Sequence, residues 1–218
     1  MVVGGDIVPG PMPVETLELL RNLDIPRMFI RGNGDRAVSE TKAGKSSKAV
    51  PEQFRPIIVW CADQLTEEQG VFLAEQYHTL RIAVEGLGDV VFCHATPRDD
   101  TEIFTRQTSE DRLLRVFKGT DANLVVCGHT HMQFDRMIGG MRVVNAGSVG
   151  APFGHPGAYW LLLGPRVEMR KTDYDYEAAA AAVRNTDYPA RDVCAASILQ
   201  PEPEEEILRR FRAAELTG

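Results

Sequence analysis

The sequence predicts an α/β fold, and three observations carry the prediction. Short apolar runs rich in β-branched residues (Met1-Val2-Val3, Arg27-Met28-Phe29-Ile30, Val90-Val91-Phe92-Cys93 and Leu124-Val125-Val126-Cys127) have the length and composition of strands. Helical or irregular segments separate them, as in alternating strand–helix folds. Each run is followed closely by a polar side chain that can ligate a metal: Asp6, Asn33, His94, and His129 with His131. In open α/β sheets the carboxyl ends of the strands are where ligands bind.

Length and composition bound the answer. The 218 residues suffice for a full core and are expected to form a single domain, 1–218. The chain is 44% hydrophobic and 25% charged, as in soluble globular proteins. A net charge of -7 argues against a nucleic-acid-coating surface. It does not argue against a phosphorylated small-molecule substrate, because bound cations reverse the local field. The four cysteines form no C-x-x-C pair, which favours buried free thiols in a reducing compartment. No apolar run approaches the ~18 residues of a membrane span, and no signal peptide opens the chain. A cytoplasmic location, no membrane partner and an allowed homo-oligomer are the expectations.

In order, the first strand begins at residue 1 and ends at Asp6. Gly10-Pro11-Met12-Pro13 has helix-start chemistry, residues 14–23 carry leucines at helical spacing, and that helix stops before Ile25-Pro26. The second strand leads into Gly32-Asn33-Gly34-Asp35. Asn-Gly is a strong hairpin signal, so a turn and a functional site stand as alternatives for these four residues. Residues 39–48 are polar and are expected to form a mobile loop. Residues 51–65 have roughly helical spacing, and Thr66-Glu67-Glu68-Gln69 reads as a cap and first helical turn. Residues 80–84 read as a half-buried strand, 86–89 as a turn and 90–93 as a fully apolar strand. Residues 95–109 are polar and irregular, a candidate flap, and 110–118 read as a helix. After the Leu124 strand come a hairpin (134–138 and 141–144), a tight small-residue loop (145–150) and a second hairpin about Gly164-Pro165 (159–163 and 167–171). An alanine-rich helix (176–183) follows. The segment 201–215 is acidic first and basic later, which suits a helix dipole.

If the strands lie side by side, Asp6, Asn33, His94, His129 and His131 converge at one sheet edge. One carboxylate, one amide oxygen and three imidazoles are a borderline-hard donor set suited to Mn, Fe, Zn, Co or Ni. Gly128 lets the backbone leave its strand tightly. Taken alone, Gly128-His129-Thr130-His131 also reads as an ordinary strand-to-loop turn with two exposed histidines.

The segments Gly5-Asp6, Gly32-Asn33-Gly34-Asp35, His94 and Gly128-His129-Thr130-His131 resemble the ordered motifs of the calcineurin-like metallophosphoesterases. The resemblance extends through the loop 145–150 and looks closest to the small bacterial and archaeal phosphodiesterase branch. It implies two facing mixed β-sheets flanked by helices, a four-layer sandwich. It implies a phosphodiesterase reaction through a metal-activated hydroxide, with Asp6, Asn33 and His94 as catalytic residues. By the same resemblance Asp6 bridges two divalent metals, Asn33, His94 and His129 complete one site, and His131 belongs to the other. A bridging water then loses a proton to become the nucleophile, and the cations neutralise the phosphoryl oxygens.

Two departures stand out. Relatives usually carry an Asp-x-His motif on a preceding strand, and none precedes Asp6 here. The second metal is therefore expected to be weakly held, and the first strand of the fold to be missing. Three explanations stand: the sequence starts late within a longer chain, this version is impaired, or another chain fills the gap. The first is the expectation. The second departure is Gly34, where many relatives place a histidine that protonates the leaving group, although phosphodiesterase-like relatives often lack it. Strong dependence on that acid is thereby disfavoured. The alternatives to an enzyme with two ions are a non-catalytic scaffold or metal-binding protein on the same fold and a mononuclear hydrolase.

Among neighbouring residues, Arg36 and Arg98 are candidates for bidentate phosphate contacts, or else solvated surface arginines. His155 is a candidate pocket residue on the loop after Val149. Asp35 is a candidate second support that orients the Asn33 loop or adjoining ligands.

Overall fold

The computed structural model describes residues 1–45 and 50–216. The chain runs β1 (Val2–Val3), α1 (Pro13–Arg21), β2 (Met28–Phe29), α2 (Asn33–Lys42), a 3-10 turn (Glu52–Phe54), α3 (Arg55–Gln64) and α4 (Glu67–Ala74). It continues with β3 (Thr79–Val84), β4 (Gly88–Cys93), α5 (Glu110–Val116), β5 (Leu124–Cys127), β6 (Phe134–Ile138) and β7 (Met141–Asn145). The last elements are β8 (Ala158–Leu163), β9 (Val167–Thr172), α6 (Tyr176–Arg184), α7 (Arg191–Leu199) and α8 (Glu204–Ala214).

The central sheet has the order β3-β4-β5-β7-β6 and is mixed: β4, β5 and β7 are parallel, while β3 and β6 are antiparallel to their neighbours. One face, with Val90, Phe92, Leu124, Val126 and Val144, packs against Val2 and Ile30 and against Leu161, Leu163 and Val167. The facing layer therefore consists of the parallel pair β1-β2 and the hairpin β8-β9. The other face of the central sheet, with Val91, Cys93, Val125, Cys127 and Val143, packs on Phe104, Leu113, Val116 and Phe117 around α5. Outside β1-β2, Val3 and Phe29 meet Leu17, Val38, Ile58, Cys61 and Leu73 of α1 to α4. Helices, central sheet, second strand layer and helices again make the expected four layers. No helix among the described residues is long and apolar enough to cross a membrane.

One sequence expectation is corrected. Residues 39–42 are not loop but the last turn of α2, and Asn33 opens that helix rather than sitting in a hairpin. The Asp35 carboxylate accepts the Gly32 amide at 3.0 Å, which caps the start. Ala37 and Val38 are buried against the core, and the Ser39 and Thr41 hydroxyls bond back to the Arg36 and Ala37 carbonyls, so the polar sequence is satisfied within the helix. Residues 46–48 of the expected loop lie outside the described residues. Helix α7 falls in a stretch for which the sequence suggested no element; it has no side-chain cap to announce it and forms by packing Ala195 against Ala180 and Val183 of α6. By contrast, the Thr66/Gln69 capping box opens α4 as expected.

Candidate metal centre

The parallel strands place the chain ends after β1, β2, β4 and β5 at one rim. The approach there is close. A Cβ built on Gly5, which has φ +91°, would lie 2.6 Å from the Gly32 amide nitrogen and 2.7 Å from His94 Nδ1. Only glycine fits that crossing of three elements.

Asp6 leaves β1 at φ 54°, a left-handed conformation uncommon for any residue with a side chain. Three contacts hold it there. Its amide donates to Asp35 Oδ2 at 2.7 Å, its Oδ1 accepts the Gly34 amide at 2.8 Å, and its Oδ2 lies 3.2 Å from His94 Nε2. His94 Nδ1 sits 2.8 Å from the Gly4 carbonyl. A carbonyl can only accept, so Nδ1 carries hydrogen and Nε2 faces the centre. His129 follows Gly128 at φ 61° and brings its Nδ1 to 3.3 Å from His94 Nε2. Donor atoms of Asp6, His94 and His129 thus all lie within 4.8 Å of one another.

Asn33 supplies a further observation. Its Oδ1 is buried and has no hydrogen-bond partner. Buried amide oxygens are ordinarily satisfied, and this orphan is next in sequence to the Gly34 amide that bonds Asp6, so it could serve as a metal ligand. One carboxylate oxygen, one amide oxygen and two imidazole nitrogens fit a divalent transition metal.

The charges agree with such a site. Burial opposes ionisation of Asp6, yet the His94 charge and hydrogen bond hold its carboxyl below the usual range. Burial likewise opposes the charge on His94, and the Asp6 carboxylate overrides it, raising the imidazole. His129 is pushed down to about 4, first by burial and then by His94. Asp6 and His94 thus each favour the charged form of the other. Asp35 is raised by burial and by the Asp6 carboxylate, although it accepts the amides of Asp6, Val8 (3.1 Å) and Gly32.

His131 stands apart from the trio. It has φ 59°, its Nδ1 lies 2.7 Å from the Ala151 carbonyl, and its ring stacks on Phe153 at 5.6 Å. As in His94, a carbonyl fixes Nδ1 and leaves Nε2 free. Asn145, at the end of β7, braces the turn between the two histidines: its Nδ2 bonds the Gly128 carbonyl at 2.5 Å and Thr130 Oγ1 at 3.1 Å. Sequence reading passed over Asn145, although a buried-strand asparagine one residue before a small-residue loop was a usable signal.

The remaining candidates fall elsewhere. Arg36 is not free for phosphate, because its guanidinium is engaged by Asp100. Arg98 is half-exposed and paired with Glu102, four residues on. The His155 side chain is exposed, and no hydrogen bond joins its imidazole to the centre among the described residues. Local sequence does not show Asp100 as the partner of Arg36, which lies 64 residues away.

Fold and donor set together define a class, α/β proteins with a candidate divalent-metal site at a sheet rim. The chain belongs to the calcineurin-like phosphoesterase superfamily, whose domain model matches residues 1–164. That family uses divalent metals and hydrolyses phosphoesters. A metallophosphoesterase from Sphaerobacter thermophilus is 24% identical, with a TM-score of 0.67 over 90% of this chain and 86% of that one. A hypothetical protein from Pyrococcus horikoshii OT3 is 16% identical, with a TM-score of 0.72 over 90% and 82%. At these identities the two structures share the fold. No curated protein matches this chain.

Proposed function

We propose that the protein hydrolyses phosphodiester bonds in small molecules, with one divalent metal held by Asp6, Asn33, His94 and His129 and a second, weaker one by Asp6 and His131. The observation that carries this reading is the buried, unpartnered Asn33 Oδ1 at the rim where Asp6, His94 and His129 converge. When bound, the metals supply Lewis-acid polarisation of the phosphoryl group and a water made nucleophilic at neutral pH.

The chain's own groups do the rest. His94 pairs with Asp6 and would have to give up the proton of that pair to hold a metal, and the Gly4 carbonyl keeps its ring oriented. Asp35 holds the Asp6 and Gly32 amides, so both oxygen donors come from one braced crossing. Residue 34 offers no acid to the leaving group. A Cβ there would meet the Val8 carbonyl and lie 2.7 Å from Pro9 Cδ, so the segment before α1 fills the space a side chain would take. This favours esters whose leaving groups depart without a donated proton.

The test is metal content and hydrolysis of bis-p-nitrophenyl phosphate with Mn, Co, Ni, Zn or Fe(II), for wild type, Asn33→Ala and His94→Ala. Metal content and turnover fall together in both variants. Full activity in metal-depleted His94→Ala, or no turnover by wild type with any of these ions, overturns the reading and leaves a scaffold on the same fold.

A further inference from the structure

Helix α8 has no part in the reaction as described, yet it packs on Phe153, whose ring stacks on the His131 imidazole. We propose that Phe153, clamped by α8, is the positioning residue for the His131 imidazole, so that docking of α8 sets metal affinity at His131. The proposal rests on the functional reading above, because it treats His131 as a ligand.

His131 lies beyond its strand at φ 59°, where a side chain is strained and its direction is not set by sheet geometry. Two contacts set that direction. The Ala151 carbonyl takes Nδ1 at 2.7 Å, and the Phe153 ring stacks on the imidazole with an interplanar angle of 21°. Both come from the loop between β7 and β8.

The tip of that loop is tied to the C-terminal segment. The Gly154 amide donates to the Glu202 carbonyl at 2.9 Å, and Phe211 meets Phe153 edge-on at 6.2 Å. Phe153 and Phe211 pack with Ile207 and Leu208 of α8 and with Met132, the neighbour of His131. Gly154, at φ +84°, lies so close that a Cβ would come within 2.9 Å of Glu204 Cγ. The helix is pinned in turn to the flap after His94, where Glu204 pairs with Arg106 at 2.7 Å and Arg212 donates to Gln107 at 3.0 Å, and Glu215 just beyond it pairs with Arg112 of α5 at 3.2 Å.

The rings of His94 and His129 face each other; His94 is set by the Gly4 carbonyl, and His129 also meets the Thr101 carbonyl of the flap. Loosening α8 therefore acts on His131 directly through Phe153, reaches His129 only by way of the flap, and leaves the Gly4 contact of His94 in place. Contacts that orient a metal-ligating histidine typically account for 10–100-fold in affinity.

Cobalt(II) binding, followed by calorimetry and visible absorption, tests this on the full chain. Wild type shows a tighter class, lost in His94→Ala, and a weaker class, lost in His131→Ala. Phe153→Ala weakens the second class by about 10-fold or more and leaves the first unchanged. Phe211→Ala, which touches no ligand, shifts the same class in the same direction, and Phe153→Tyr restores it. Equal affinities in Phe153→Ala and wild type overturn the proposal. So does an equal loss in both classes, the result of a purely structural role. A weaker class insensitive to His131→Ala overturns it while the functional reading stands on the first class. A wild type that takes up no cobalt overturns both.

Discussion

Arg36 and Asp100 form a two-pronged ion pair, with Nε 2.7 Å from Oδ2 and Nη2 2.8 Å from Oδ1. It joins α2, which opens with Asn33, to the loop that follows His94. The Asp100 side chain is only 8% exposed, so this is a strut rather than a solvated pair. Removing one partner of a buried pair is costly. Because Arg36 keeps part of its surface in water, Asp100→Ala is expected to lower stability by about 1–2 kcal/mol, discounted for screening. Arg36→Lys, which cannot make both bonds, loses about 1 kcal/mol. Urea unfolding reads both. If Arg36 served phosphate instead, Arg36→Lys would raise KM and leave the unfolding midpoint where it was.

The proton shared by Asp6 and His94 predicts a pH dependence for the metal-free protein. Despite burial, the neighbouring carboxylate raises His94 from the ordinary 6.5 to about 9. A raised imidazole contributes stability that is complete below 6.5 and is lost as pH climbs through the folded value. Thermal unfolding of metal-free wild type should therefore fall between pH 6.5 and 9, and His94→Gln should flatten that decline. Cobalt affinity should rise over the same range, since metal displaces the proton. An unchanged slope in His94→Gln contradicts the assignment.

Gly34→Ala is expected to be among the most damaging of small substitutions. The added methyl meets Val8 and Pro9 and pushes on the amide that bonds Asp6. Overpacking of this kind costs about 1–3 kcal/mol, and metal affinity should drop with it. Gly10→Ala, where nothing lies within 4 Å, is the matched control and should be near neutral by the same calorimetry.

Asp35→Asn replaces an acceptor of three amides with a group that has one acceptor oxygen and an NH2 facing a donor. Expected is a 10–100-fold weaker metal at the Asn33 site with the fold retained by circular dichroism. Wild-type affinity would remove Asp35 from any supporting role.

Much of the centre was legible before the structure, because each ligand type sits just past a short apolar run and parallel strands bring such positions to one rim. Asp6, His94 and His129 needed only that rule. Helix α2 was not legible: Asn33-Gly34 obeys a local turn preference that burial of Ala37 and Val38 and the Asp35 cap override. Arg36 was misread for a related reason, since its partner lies 64 residues away. Nor does the spacing of His129 and His131 reveal that only the first joins the trio, which depends on where the loop bearing Ala151 and Phe153 comes to rest.

Among the described residues, Asp6, His129 and His131 are the non-glycine residues that the fold keeps at positive φ, and all three are candidate metal donors. Glycine would sit more comfortably at any of them. A laboratory selection rewarding heat resistance alone would accordingly drift toward sturdier proteins with blunted chemistry, and persistence of these three side chains through such a selection would have to be enforced by a demand for turnover.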